Sequence, residues 1–214
     1  MYFVSYTSNG QSKIQVCDTT IAVRVVCRDA DYNQEVENGN IMNLEVYRDN
    51  DKIQTITYKY ENVGAFTLKH FDLLDLNFDG YTDILICAGH TANRNQPFYE
   101  GYLWCEATHK FLREPQINEK MPNLLVDTEK KQVYSYYIVN SDEISYSIYR
   151  YQQQYYILIG ELKKMNALGK YPKYREIQYK NGIAKDMGYI KYDKLSNEWK
   201  NMFSFIANSP LNPL

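Results

Sequence analysis

Side-chain oxygens recur at every second residue of one short stretch. Within Phe71–Ile86, FDLLDLNFDGYTDILI, the residues Asp75, Asn77, Asp79, Gly80 and Asp83 make the pattern D-x-N-x-D-G-x-x-D. Oxygens at the first, third and fifth positions of a tight loop converge on one point. The backbone carbonyl of Tyr81 and the carboxylate of Asp83 are placed to join them. A hard cation such as Ca²⁺ takes about six to eight oxygens at roughly 2.3–2.6 Å, and this loop supplies most of that set. Gly80 stands where the chain turns sharply, which a residue without Cβ does at low cost. Three crowded carboxylates repel one another unless a cation sits between them. The candidate metal ligands are therefore Asp75, Asn77, Asp79, Tyr81 and Asp83. The alternative is an acidic hairpin turn, for which Asp-Gly is a common signal. An EF-hand is excluded, because its twelfth position needs a bidentate Glu and here is Ile86.

Other chemistry is sparse. The chain has no G-x-S-x-G, H-E-x-x-H, P-loop or G-x-G-x-x-G motif. His70, His90 and His109 are far apart in sequence and form no ligand spacing. A bound cation would keep the loop carboxylates ionised, which is unsuited to general acid catalysis. These residues point to a structural metal that couples folding to calcium, and not to an enzyme.

The elements that must hold this loop read as β-strands. Ile84-Leu85-Ile86-Cys87 is a short, β-branched apolar run, the mark of a buried strand. Upstream, Ile21–Cys27 is apolar, and Met42–Arg48 alternates, with Met42, Leu44 and Val46 on one face. After the turn Asp49-Asn50-Asp51, Lys52–Tyr60 alternates again. Leu68–Leu74 leads into the loop and Tyr81–Ala88 leads out. Tyr99–Cys105 is an aromatic strand, and Pro115–Met121 reads as irregular. Asn123–Asp127 is a short strand. Gln132–Val139 and Glu143–Tyr151 form a hairpin, and Tyr155–Glu161 returns as the third strand of a meander. Glu176–Tyr179 and Gly188–Tyr192 are strand candidates around Asn181-Gly182. Ser196–Ala207 places Trp199, Met202, Phe203 and Ile206 on one helical face, with a final strand pair as the alternative. The expected fold is mainly β, built of antiparallel meanders, with a short C-terminal helix. Composition shifts after Glu161, so residues 1–161 are expected as a β domain holding the loop and 162–214 as an extension packed on it. The motif occurs once, so any propeller is degenerate or incomplete.

The totals agree. The 214 residues carry a net charge of −2, which offers nothing to nucleic acid or an anionic membrane. No apolar run is long enough to span a bilayer. Tyrosine is the outlier at 22 residues, and aromatic residues favour strands. Gly89–Gln96, GHTANRNQ, is a polar loop without an apolar anchor. It is either a connector or a functional loop on a rigid sheet. His90, Asn93 and Arg94, with Tyr99 on the next strand, are its candidate partner-binding residues.

The segment Leu74–Ile86 resembles the calcium loops of FG-GAP/VCBS propeller repeats. It is closer still to a family of bacterial exported lipoproteins with a propeller-like fold. Gly101-Tyr102-Leu103-Trp104, the turn Thr108-His109-Lys110-Phe111 and the later tyrosine-rich hairpin extend the resemblance over about Ile53–Ile159. One branch of that family protects its owner by inhibiting a lysozyme-like peptidoglycan hydrolase delivered by a secretion system. The resemblance implies a calcium-binding, periplasmic or surface immunity protein whose partner is a protein toxin. It implies steric inhibition; the Gly89–Phe98 loop is the candidate plug on its own polar residues, with Arg94 or His90 to pair with a catalytic carboxylate, and not on the family motif. The first residues, MYFVSYTSNGQ, lack the basic start and apolar core of a signal peptide, so export is implied by the family alone. Cys17, Cys27, Cys87 and Cys105 form no C-x-x-C pair. In an exported protein their even count implies two disulfides, Cys17–Cys27 and Cys87–Cys105 by nearest neighbours; four buried thiols is the alternative. A carbohydrate- or surface-binding module, with tyrosines stacking on sugar rings, is the competing function.

Overall fold

The computed structural model describes residues 14–18, 23–29, 40–60, 71–90, 96–166 and 172–208. They fall into two compact units, Met1–Lys120 and Met121–Leu214. The composition shift after Glu161 lies inside a strand, Tyr155–Met165, and coincides with no end of an element.

In the first unit the expected alternation produces two four-stranded antiparallel meanders. Strands β1 (Ile14–Asp18), β2 (Val23–Asp29), β3 (Asn40–Arg48) and β4 (Asp51–Tyr60) lie in sequence order. Leu44 and Val46 are buried while Asn43, Glu45 and Tyr47 between them are half-buried, the period of two that a one-sided sheet demands. Strands β5 (Phe71–Leu74), β6 (Asp83–His90), β7 (Pro97–Cys105) and β8 (Lys110–Glu114) repeat the order. Every residue of β6 is buried, as its unbroken apolar run predicts for a strand covered on both faces. Leu44, Val46, Ile56 and Tyr58 from the first sheet share one core with Phe71, Leu73, Ile84, Ile86, Tyr102, Trp104 and Phe111 from the second. The Gln54 side chain completes the join. Its Nε2 donates to the Phe111 carbonyl at 2.8 Å, and its Oε1 accepts the Phe111 N–H at 2.9 Å.

The stretch expected to be irregular contains a helix, α1 (Pro115–Lys120). Proline suits a first helical position because its missing N–H has no partner there anyway. Ile117 is fully buried and lies over Gly101 of β7, where a Cβ would stand 2.2 Å from Ile117 Cδ1. One turn of helix is too short for periodicity to reveal; the contact with β7 holds it.

The second unit is a six-stranded antiparallel sheet in the order β14-β13-β12-β11-β10-β9. Its strands are β9 (Leu125–Asp127), β10 (Gln132–Ile138), β11 (Glu143–Gln152), β12 (Tyr155–Met165), β13 (Lys173–Lys180) and β14 (Ile183–Ile190). The expected helix is present as α2 (Asn197–Asn208), with Trp199, Met202 and Ile206 buried against Tyr134, Tyr146, Ile148, Leu162 and Tyr174. Part of the tyrosine excess is thereby explained, since Tyr134, Tyr136, Tyr146 and Tyr174 are core rings of this unit. The Tyr134 hydroxyl lies 3.1 Å from both Asp127 Oδ2 and Gln132 Oε1, which meets the need of a buried O–H for a partner. Trp199 Nε1 donates to buried Glu176 at 3.1 Å, and its ring passes over Gly160, where a Cβ would lie 3.0 Å from Cζ2. The chain is mainly β and antiparallel, with one short C-terminal helix and no closed barrel among the described residues.

Candidate metal centre

Strands β5 and β6 pair antiparallel, and Leu74 opposite Asp83 is the last rung before the acidic loop. Apolar Leu76 is fully buried and pins residues 75–82 to the core, while Asp75 and Asn77 on either side stay partly exposed. The turn needs left-handed backbone at Phe78 (φ 64°) and Gly80 (φ 91°), and glycine supplies the second without a Cβ penalty.

The loop's oxygens fold onto its own backbone. Asp75 Oδ1 accepts the N–H of Asp79 at 3.1 Å and its Oδ2 that of Gly80 at 3.0 Å. Asn77 Oδ1 accepts the Asp79 N–H at 3.2 Å, and Asp79 Oδ1 accepts that of Tyr81 at 2.8 Å. Asn77 Nδ2 donates to Asp79 Oδ2 at 2.9 Å. Asp83 behaves differently. It is fully buried, and its two oxygens accept the Leu76 N–H at 2.8 Å and the Trp104 N–H at 2.7 Å. It thus ties the loop entry to the far end of β7. Burial pushes its carboxyl up to about 7, the two N–H donors pull against that rise, and the charges of Asp79 and Asp75 add to it.

The donor chemistry fits a hard cation, because every candidate ligand is an oxygen and two loop carboxylates press their charge on the third. Each carboxylate oxygen that accepts one N–H keeps a second lone pair. Among the described residues no three Asp, Glu, His or Cys side chains are gathered closely enough to hold a metal between them. The loop carboxylates are spent on backbone N–H groups and would turn to close around an ion, whereas Asp83 is already fixed. Of the five expected ligands, four lie on the loop and the fifth is the buried brace behind it.

The candidate partner residues do not form a cluster in the described part. His90 ends β6 opposite Pro97 and is only 5% exposed; burial lowers its imidazole pKa, so it is neutral near pH 7. Tyr99 is half-buried on β7 opposite Cys87. Asn93 and Arg94 lie outside the described residues.

The disulfide expectation needs correction for one pair. Cys87 and Cys105 are free thiols. Cys87 faces Tyr99 across the β6–β7 ladder, while Cys105 lies beyond the ladder's other end, opposite Lys110 of β8. Burial pushes the Cys87 thiol up to about 11, and the Thr108 hydroxyl lowers that of Cys105. The side chains of Cys17 and Cys27 lie outside the described residues; their strands set Cys17 opposite Arg24 and Cys27 opposite Ile14.

Sequence reasoning missed what surrounds Trp104. Its N–H is the second donor to Asp83, and its indole donates to Glu106 Oε2 at 2.9 Å. The Arg48 guanidinium lies 5.6 Å from its ring centroid and reaches His109 Nδ1 at 3.4 Å. Arg48 and His109 stand 61 residues apart, so no local signal joins them.

No family model matches the sequence, and no curated protein matches it. Among solved structures, the chain is similar to one described as that of a Xanthomonas type IV secretion system related protein. The TM-score is 0.64 at 14% identity, over 86% of this chain and 98% of that one. At that identity the likeness is one of fold.

Proposed function

We propose that this chain is a calcium-binding periplasmic or surface immunity protein that binds and inhibits a secreted, lysozyme-like peptidoglycan hydrolase. It acts as an inhibitor and not as an enzyme. The supporting observation is the D-x-N-x-D-G-x-x-D loop, braced by Asp83, in a fold shared nearly end to end with a secretion-system related protein. Among the described residues no helix is long and apolar enough to cross a membrane, so anchoring through a helix in this part of the chain is not part of the reading.

Asp75, Asn77, Asp79, the Tyr81 carbonyl and Asp83 would hold the ion. Bound calcium supplies charge neutralisation that lets the carboxylates approach, and it adds its binding energy to folding. The chain's own residues do the rest: Leu76 seats the loop, and Asp83 transmits its position to Trp104. Inhibition is steric, through an interface of about 800 Å² per partner that covers the hydrolase cleft. Of the residues first considered for that surface, His90 is buried, and Asn93 and Arg94 lie outside the described residues.

The competing sugar-binding reading needs an exposed aromatic row. Among the described residues the most exposed tyrosines, Tyr155, Tyr189 and Tyr192, come from a hairpin tip, an edge strand and a 3-10 turn. They form no single row along one strand. The test is a pull-down of purified peptidoglycan hydrolases encoded beside this chain's gene, with calcium and then with chelator. Tight binding with loss of hydrolase activity is the expected result. Retention of the chain on peptidoglycan with no hydrolase bound would replace this function with the sugar-binding one.

A further inference from the structure

The six-stranded sheet has two faces, and α2 packs on one of them, against Tyr146, Leu162 and Tyr174. Alternation along each strand turns the next residues the other way. The pairs Met165–Lys173, Lys163–Arg175 and Arg175–Tyr189 therefore lie on the opposite face. At one end of that face is a cavity of about 660 Å³, lined by Asp142, Met165, Asn166, Lys173 and Tyr189. Small-ligand sites run from about 300 to 1,000 Å³.

Its floor is the half-buried Met165 and the exposed ring of Tyr189, which reaches diagonally across β13 until its hydroxyl stands 3.4 Å from Met165 Sδ. The charges nearby are of two kinds. Glu143 pairs with Lys163 at 3.5 Å, and Arg175 pairs with Asp186, so these four are spent on one another. Asp142 and Lys173 line the cavity itself, and neither forms an ion pair with the other or with any described residue. The turn that carries Asp142 is held in place, because Asn140 Oδ1 accepts the N–H groups of Asp142 at 2.7 Å and Glu143 at 2.9 Å. Glu143 pairs with Met165 and Met165 with Lys173. The two uncommitted charges thus stand two strands apart, roughly 10 Å at about 4.8 Å per strand.

We propose that this cavity binds a short free peptide of two or three residues, with its ammonium at Asp142, its carboxylate at Lys173 and an apolar side chain on Met165 and Tyr189. Opposite charges held apart across an apolar floor are complementary to a ligand that carries both charges and an apolar body between them. The length follows from the spacing, since three extended residues span about 10 Å. An aromatic side chain suits the floor best, because a thioether sulfur is attracted to ring edges. A singly charged ligand would satisfy one of the two side chains and leave the other without a partner. The site belongs wholly to the second unit and needs neither a metal ion nor a hydrolase.

The test titrates the full chain with the free tripeptide alanyl-phenylalanyl-alanine and follows the NMR shifts of the Met165 methyl group and of the backbone amides. Saturable shifts at Met165, Lys173 and Tyr189 are the expected result. Acetylating the peptide amine, or amidating its carboxylate, is expected to weaken binding tenfold or more. Asp142→Asn weakens the free tripeptide by a similar factor and leaves the acetylated one unchanged. Lys173→Met does the same to the free tripeptide and leaves the amidated one unchanged. A loss that follows one charge of the ligand in this crossed way is not produced by a general disturbance of the sheet. Ile183→Ala, at the exposed start of β14, alters none of these affinities. Asp142 and Lys173 are exposed, so the melting temperatures of their variants stay at the wild-type value and confirm folding. Absence of saturable shifts at Met165 up to the solubility limit of the tripeptide would overturn the proposal. Equal binding of a peptide capped at both ends, or binding that Asp142→Asn and Lys173→Met leave intact, would overturn it as well.

Discussion

Asp83 holds the acidic loop by two buried hydrogen bonds, and their loss can be predicted without any ion present. Replacement by alanine leaves the N–H groups of Leu76 and Trp104 without acceptors in a site that water does not reach. An orphaned buried donor costs about 1–3 kcal/mol, so the pair costs about 2–6 kcal/mol. Asparagine restores one acceptor and sets its amide against the other donor, so Asp83→Asn falls between alanine and wild type. Asp79 is the comparison. It is exposed, and water replaces its carboxylate at the Tyr81 N–H, so Asp79→Ala in chelator costs under about 1 kcal/mol. The assay is urea unfolding of each variant in chelator and then in calcium, followed by tryptophan emission. In calcium the order changes. A ligand at about a hundred times its Kd adds about 2.7 kcal/mol to the wild type, and Asp79→Ala is expected to lose that gain. Were Asp83→Ala within about 1 kcal/mol of wild type in chelator, or Asp79→Ala as costly there, the brace argument would be wrong.

Three further outcomes are expected. Gly101→Ala forces a Cβ to 2.2 Å from Ile117 Cδ1 and costs about 1–3 kcal/mol. Ile117→Val removes that carbon, so the double variant recovers much of the loss in thermal melting, and additive losses would refute the contact. Trp199→Phe leaves buried Glu176 without its indole donor and destabilises the second unit by about 1–3 kcal/mol. Amide exchange across β12 and β13 reads that loss, and unchanged protection there would count against it. Asp127 is buried, which alone would raise its carboxyl. The Lys130 N–H, the Lys130 ammonium and the Tyr134 hydroxyl outweigh burial and hold it below the ordinary range. A lowered folded pKa gives stability that is full above the unfolded value of about 4 and is lost as pH falls through the folded one. Acid unfolding of the wild type should therefore be steeper below pH 4 than that of Asp127→Asn, and equal slopes would remove Asp127 from the account.

What the sequence by itself determined is what depends on neighbours along the chain. A period of two reads out burial on one face of a strand, so β3 and β4 were legible from alternation, and β6 from its unbroken apolar run. The helical face of Trp199, Met202 and Ile206 was legible for the same reason at a longer period. The acidic turn was legible because its carboxylates and its glycine lie within nine residues. Tertiary structure alone decided what depends on register and on distant partners. Asp83 became a brace because β7 brings the Trp104 N–H to it from 21 residues away. Cys87 and Cys105 stayed apart because the β6–β7 ladder ends between them. Pro115–Lys120 became helix because Ile117 has Gly101 to lie against. Asp142, Lys173 and Tyr189 line one cavity because the pairing of β11 through β14 brings them together, and that register is set across the sheet, which no local pattern in any one strand encodes.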